Sequence, residues 1–347
     1  MEYLMNSEPT ERKEVILSGI RATGALHIGN YLGAVEHFVE FQRADHLRLY
    51  FVADWHSMTT DHDPERLRKE PIEIVKDYIA AGLDPECSII YVQSSVPELL
   101  ELTWYLATLQ GVPELTTLPN YVEHLERIAK GGENPKNNNL GLLSYPILMA
   151  ADIFGPRATL VPVGKDQTIH VRLAGKLAKR FNSEYGEYFP IPQTIERMIK
   201  VPGLDGKKMS KSGEIDNTID IHSSREEMRE RYLKYGITDK NRKLMSDPGD
   251  PYQGCKSVYP VHELVTAAET KTREIATLCQ HAQIGYVECK NRLVESIWKK
   301  IGPFQERRKV IKNEDVVEIL HEGGKKAQRI ISNTLLEVRE RMGVRIY

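Results

Sequence analysis

The sequence predicts an α/β protein: a doubly wound parallel sheet of Rossmann type, followed by an all-helical C-terminal domain. Three observations predict it. Short apolar runs bounded by glycine, proline or aspartate recur through the first half of the chain. Helical periodicity fills the gaps between them, the pattern of strands joined by crossover helices. After Ser212 the strand-like runs cease and helical periodicity continues alone. With 347 residues, 41% hydrophobic and 28% charged, the chain can build one large domain and a smaller one. The expected division is 1–212 and 213–347.

The elements follow in order. Glu14–Ile20 (EVILSGI) reads as a buried strand, and Gly19 and Gly24 flank the turn after it. A helix is expected over His27–Gln42, because Ile28, Leu32, Val35 and Val39 share one face. Leu47–Asp54, Ser88–Ser95 and Ala158–Gly164 are the further strands. Pro64–Ala81, Pro97–Leu109, Leu142–Ile153 and Asp166–Arg180 are the helices between and after them. The Asn137–Asn139 run lies in a predicted flexible loop, GGENPKNNN. In the second domain, Ser223 and Ser224 ahead of Glu226 and Glu227 suggest a capping box. A turn is expected at Asp247–Gly254, and helix resumes near Tyr259. The last helix, Lys325–Met342, carries Ala327, Ile331, Leu335, Val338 and Met342 on one stripe, with Gly343 as its stop. It is expected to pack back on the first domain.

A net charge of -2 argues against a wholly basic nucleic-acid binder but allows a local basic patch. The N-terminus lacks a signal pattern and no run of 18 apolar residues occurs, so a cytoplasmic protein without membrane contact is expected. Four cysteines in such a protein are not expected to pair. Cys87 reads as a small buried hydrophobe.

Two stretches carry chemistry. In GIRATGALHIGNYLG a strand passes through glycines into a helix start, where free N–H groups and the helix dipole favour an anion. Neither a Walker A loop nor a G-x-G-x-x-G fingerprint is present. What remains is HIGN, His27–Asn30, in which His27 alone reads as a capping histidine or a functional one. The second stretch, GKKMSKSGE, groups lysines and serines around a methionine after an Asp-Gly turn. Alone it reads as a solvated loop.

Together the two stretches resemble the paired signature of class I aminoacyl-tRNA synthetases. HIGN is a variant of their H-I-G-H motif, with Asn30 in fourth place, and Lys208–Ser212 (KMSKS) follows about 180 residues later. LGLLSYPILMAADIF (Leu140–Phe154) and VPVGKDQTIHVRLAGKLAKRFN (Val161–Asn182) closely resemble the tryptophanyl branch. The likeness runs from Ile16 to Met342.

The resemblance implies a tryptophan–tRNA ligase using ATP and Mg2+, with tRNA(Trp) and L-tryptophan as partners and a homodimeric assembly. It implies His27, Lys208 and Lys211 as the groups that stabilise charge in the transition state. ATP contacts fall on Arg21, Ala22, Thr23, Gly29, Asn30, Gly164, Lys165, Asp166 and Val201, then Lys208, Met209, Ser210, Lys211 and Ser212. Tryptophan contacts fall on Asp152, Met149, Tyr145 and Gln167, with Leu17, Val161 and Val163 lining the pocket. Met149 and Asp152 are three apart and share a helix face. A carboxylate there can accept the indole N–H while the thioether packs on the ring. Tyrosine enzymes carry Gln at the Met149 position, so tyrosine specificity is the runner-up. Arg21 and Lys165 stand where many bacterial relatives have Gln and Glu, and Leu17 replaces a common Phe.

Some relatives hold a [4Fe–4S] cluster in the helical domain. Here Cys255, Cys279 and Cys289 match three of its four positions, and Tyr286 stands at the other. A cluster, a zinc site completed by His262 or His281, or unused thiols are the three readings. A non-enzymatic RNA-binding paralogue of the same fold is the alternative from another class; such paralogues usually lose the signature lysines, and here both motifs are intact.

Overall fold

The computed structural model describes residues 13–22, 26–42, 45–195, 200–209, 217–266 and 268–344. Five strands, β1 (Val15–Arg21), β2 (Leu47–Ala53), β3 (Ile89–Val92), β4 (Leu160–Pro162) and β5 (Gln193–Ile195), form one sheet in the order β3-β2-β1-β4-β5. Every pairing is parallel. The chain winds outward from β1 to β3, then restarts on the other side at β4. The switch point therefore lies between β1 and β4, where Ile16 pairs with Leu160.

Both faces of the sheet are covered, so its strands are apolar on both sides. In β2, Tyr50 and Val52 join one core cluster while Leu49, Phe51 and Ala53 join the other. The first helix runs as α1 (Ile28–Asn30), a π-helical segment (Tyr31–Val35) and α2 (Glu36–Phe41). The expected helix is thus present, widened by a π segment directly after HIGN. Beyond β2 come the single turn α3 (Asp54–Ser57) and α4 (Pro64–Ala81), capped by Asp63. After β3, α5 (Glu98–Leu109) leads to α6 (Val112–Thr116) and α7 (Pro119–Ala129), two short helices that the periodicity did not reveal. Helix α8 (Leu140–Phe154) starts earlier than expected because Asn139 accepts from the Leu142 N–H and caps it. Helix α9 (Thr168–Tyr185) follows a 3₁₀ turn at Lys165–Gln167. Strand β5 is three residues long and half polar, too brief to show a period.

Among the described residues, every strand lies before residue 196. Helices α10 (Arg225–Tyr235), α11 (Val258–Val265), α12 (Glu269–Gln280), α13 (Tyr286–Lys309) and α14 (Asn313–Arg341) follow. The Ser224–Glu227 capping box forms at α10. Helix α13 is tied to the first helices: Arg308 Nε donates to Asp77 at 2.6 Å, Lys300 Nζ to Glu36 at 2.9 Å, and the rings of Phe304 and Tyr31 meet at 5.5 Å.

Helix α14 begins at Asn313 instead of Lys325. It returns to cover the sheet edge at β3. A Cβ on Gly323 would lie 1.8 Å from the Ile90 carbonyl oxygen, so only glycine permits this approach. The stripe Ala327, Ile331, Leu335 and Val338 enters the core beside α5, and Gln328 and Ser332 both donate to Glu98 at 2.9 Å. Cys87, expected inside, is exposed in the turn before β3. That turn is polar, and Cys87 Sγ lies 3.6 Å from Asp84 Oδ2.

Candidate active site

The carboxyl ends of β1 and β4 open into the crevice at the switch point. His27 caps α1: its Nδ1 accepts from the Asn30 N–H at 3.2 Å, while Asn30 Oδ1 accepts from the His27 N–H at 3.1 Å. This reciprocal box satisfies two helix-start donors and places the ring proton on Nε2. Gly29 follows under tight constraint. A Cβ there would sit 2.8 Å from His27 Nδ1 and 3.1 Å from Met209 Cβ.

The two motifs meet at this point. The Gly29 N–H donates to Met209 Sδ at 3.3 Å, across 180 residues of sequence. Val201, buried, accepts from the Met209 N–H at 3.0 Å, and Ile219 accepts from the Ile28 N–H at 2.9 Å. Both flanks of segment 210–216 are thereby pinned to the crevice. Lys208 is exposed and reaches back to Asp166 Oδ1 at 2.9 Å, whose other oxygen accepts from Gln167 Nε2 at 2.9 Å. Arg21 donates to Thr60 Oγ1 at 2.8 Å. Lys165 is exposed, Ala22 is buried, and a Cβ on Gly164 would meet Asp166 Oδ1 at 2.9 Å. Thr23, Ser210, Lys211 and Ser212 lie outside the described residues.

Beside this crevice, Leu17 and Val161 are buried, and Val163 and Met149 pack half-buried against the same apolar cluster. Asp152 is 1% exposed. Its carboxylate accepts from His56 Nε2 at 2.9 Å and from Gln93 Nε2 at 2.8 and 2.9 Å. Burial pushes its pKa up, and the His56 and Gln93 donors act against that rise. Tyr145 donates to His170 Nε2 at 2.8 Å, and Asn120 Nδ2 donates to the same nitrogen at 3.1 Å. Burial pushes His170 down to about 4, so the ring is neutral near pH 7 and its single Nε2 lone pair is shared between the two donors, with Asn120 Nδ2 also 3.5 Å from the Tyr145 hydroxyl. A phenol that gives its proton to His170 keeps lone pairs for an incoming ammonium.

His56, Gln93, Asn120 and His170 escaped the reading of the sequence. For two of them a signal existed. His56 and Gln93 follow the carboxyl ends of β2 and β3, where parallel sheets place functional groups.

The chain's matched family is a description that fits this geometry. A family model described as "tRNA synthetases class I (W and Y)" matches residues 9–301. The chain belongs to that family. The tryptophan–tRNA ligase of Thermotoga maritima is 39% identical over 334 residues, spanning 95% of this chain and 99% of the relative. That of Fusobacterium nucleatum is 37% identical, spanning 94% and 97%. Among solved structures, the tryptophanyl-tRNA synthetase of Campylobacter jejuni complexed with ADP and tryptophan superposes with a TM-score of 0.80 at 32% identity, covering 95% of this chain and 99% of that one. Among the described residues, no helix is long and apolar enough to cross a membrane.

In this class I synthetase the three cysteines also come together. Cys255, Cys279 and Cys289 line a cavity of about 20 Å³, with Tyr286 and Arg242 in its wall, room for about one water. Their donor set does not fit a cluster. Tyr286 spends its hydroxyl on the Asp239 carbonyl at 2.7 Å. Arg242 stacks on the Tyr286 ring at 5.2 Å and donates to Ile284 O at 2.9 Å. Burial pushes the Cys289 thiol up to about 12 and raises Cys255 and Cys279 as well. Zinc fits no better, because neither His262 nor His281 lines the cavity and His262 Nε2 donates to the Cys289 carbonyl at 3.1 Å. Among the described residues no group of three or more His, Cys, Asp or Glu is arranged to hold a metal ion.

Proposed function

We propose that this synthetase is a tryptophan–tRNA ligase in which tryptophan attacks ATP at the β1–β4 crevice. One observation carries the reading: the Gly29 amide of HIGN contacts the Met209 sulfur of KMSKS, and the buried Asp152 is held as an acceptor by His56 and Gln93. The relatives that bear this name support the substrate.

The residues take the following roles. The indole enters between Leu17, Val161, Val163 and Met149, and its N–H donates to Asp152. Methionine at position 149 makes no demand for a hydroxyl, whereas a site built to bond one would reject tryptophan. Tyr145 and Gln167 hold the ammonium and carboxylate. ATP lies along Arg21, Ala22, Thr23, Gly29 and Asn30, with Gly164, Lys165, Asp166 and Val201 around the nucleoside and sugar. The sole carboxylate in that set, Asp166, is paired with Lys208 and Gln167. Mg2+ would arrive on the triphosphate as part of the substrate, since it keeps waters and phosphate oxygens as ligands.

The tryptophan carboxylate attacks the α-phosphorus, the bond to the β-phosphate oxygen breaks, and pyrophosphate leaves. His27 Nε2–H, Lys208 and Lys211 would stabilise charge as it builds on the phosphates, the role the signature motifs carry in the family. The 2′-hydroxyl of the tRNA's terminal adenosine then attacks the adenylate carbonyl and AMP leaves. Residues 1–212 would perform this chemistry, and 213–347 would read the anticodon by stacking and edge hydrogen bonds. The work is cytoplasmic. A second copy of the chain completes the assembly. Leu100 and Trp104 on α5, Val112 on α6, Val122 on α7 and Leu140 on α8 offer exposed apolar surface for it, Trp104 being 70% exposed.

ATP–pyrophosphate exchange with tryptophan and with tyrosine tests the reading. Exchange driven by tryptophan alone supports it. Exchange driven by tyrosine overturns the role of Met149, and folded protein that exchanges with neither amino acid and charges no tRNA is the RNA-binding paralogue.

A further inference from the structure

Gln93 stands in the 3₁₀ turn after β3, is fully buried, and touches no part of the predicted nucleotide site. Its amide nitrogen spans both oxygens of Asp152, at 2.8 and 2.9 Å. The opposite end of the same amide, Oε1, has no hydrogen-bond partner among the described residues. A glutamine that served only to fill the core would satisfy both ends, because an unmet buried carbonyl costs about 1–3 kcal/mol. Turning the amide over would set Oε1 against the carboxylate, so the orientation is dictated by Asp152.

We propose that Gln93 is a positioning residue for substrate selection: it fixes the plane of the Asp152 carboxylate and keeps it an acceptor for the indole N–H. The inference rests on the reading that Asp152 receives that N–H. Two donors divide the work. His56 holds Oδ2 from α3, and Gln93 bridges both oxygens from the sheet side. The other groups facing Asp152 are Asp54 on α3, which raises its pKa, and Tyr91 on β3, whose buried hydroxyl has no hydrogen-bond partner among the described residues. Among the described residues, Oδ1 of Asp152 takes its side-chain donor from Gln93, while His56 serves only Oδ2. An anion deprived of that donor protonates more readily in the buried site.

The test is Gln93→Met, which keeps the length and apolar shape and removes the donor. Pyrophosphate exchange is measured with tryptophan and with benzothienylalanine, whose sulfur replaces the indole N–H. The expected result is a fall of about tenfold in kcat/KM for tryptophan, carried by KM, with the value for the analogue unchanged. The acid limb of the tryptophan profile should also move to higher pH, because Asp152 would protonate earlier. Equal losses for both substrates, or no loss for either, would overturn the inference. Wild-type protein that shows no preference for tryptophan over the analogue would instead overturn the role of Asp152 itself, and the inference with it. Gln93→Glu at low pH, where the added carboxyl can donate, should restore part of the preference; a variant that melts normally and restores none would count against the donor role.

Discussion

The crevice between β1 and β4 and the cavity at Cys255, Cys279 and Cys289 are both assembled from residues remote in sequence. They differ in how firmly their polar groups are already engaged. At the crevice Lys208 is exposed and held by Asp166 through a surface ion pair, a contact worth about 0–1 kcal/mol that a triphosphate can displace. Asp152 is the reverse case within the same site, buried and held as an acceptor by two donors. At the cysteine cavity, Tyr286 and Arg242 are committed to backbone carbonyls, and burial raises the pKa of all three thiols. Convergence of side chains is common to both. A usable site also needs charge that is cheap to redirect, and only the crevice has it.

The largest way to break this comparison is Lys208→Ala. Loss of one preorganised charge on the transferring phosphoryl group should lower the rate of adenylate formation by about a hundredfold or more, leaving tryptophan affinity near wild type. Rapid-quench measurement of adenylate formation decides it; a near-normal rate would put the Lys208–Asp166 pair on the same inert footing as the cavity. The second prediction concerns the thiols. At pH 8 a thiol with a pKa of about 12 is almost wholly protonated, and the thiolate is the nucleophile. Cys289 should react with iodoacetamide about a hundredfold more slowly than exposed Cys87, by mass mapping of the native protein. Labelling of Cys289 should rise as pH is raised toward that pKa. The third is Asp152→Asn, which keeps the shape and removes the anion. It should lower kcat/KM for tryptophan by roughly tenfold, the size expected for a hydrogen bond to a charged group. An unchanged value would mean that the indole N–H goes elsewhere.

The parts of this molecule that were legible in the sequence are those with a period or a motif. Helix α4 shows its start in Asp63 and Pro64 and its stop in Gly82, which adopts a φ of 107°. HIGN and KMSKS announced themselves, and so did Asp152, three residues after Met149. Asn120 and His170 were illegible because a lone polar residue on a helix face has no local mark of function. Their meaning arises only when α7, α8 and α9 are packed. The start of α14 was missed for a related reason. The expected helix began at Lys325, directly after Gly323 and Gly324, and each glycine costs about 1 kcal/mol in a helix. Contact with the Ile90 carbonyl outweighs that local penalty, and no neighbour in sequence reveals it.

The smallest expected effect is the one that sharpens the comparison most. Replacing Cys255, Cys279 and Cys289 together by Ala removes every sulfur from the cavity while leaving Tyr286, Arg242 and Asp239 in place. If those polar contacts hold the segment together, tRNA charging should stay within about twofold of wild type, and the melting temperature should fall only by the few degrees that small buried truncations cost. Iron content and visible absorbance, taken on anaerobically purified protein, should be the same for wild type and variant. Arg242→Met is the counterpart. It keeps bulk but leaves the Ile284 carbonyl without its donor and the Tyr286 ring without its cation, so it should cost more stability than the triple cysteine variant despite touching one side chain instead of three. A triple variant that unfolds or loses iron while Arg242→Met stays intact would reverse the assignment, because the sulfurs and not the Arg–Tyr pair would then be what holds the loop after α10 against α12 and α13.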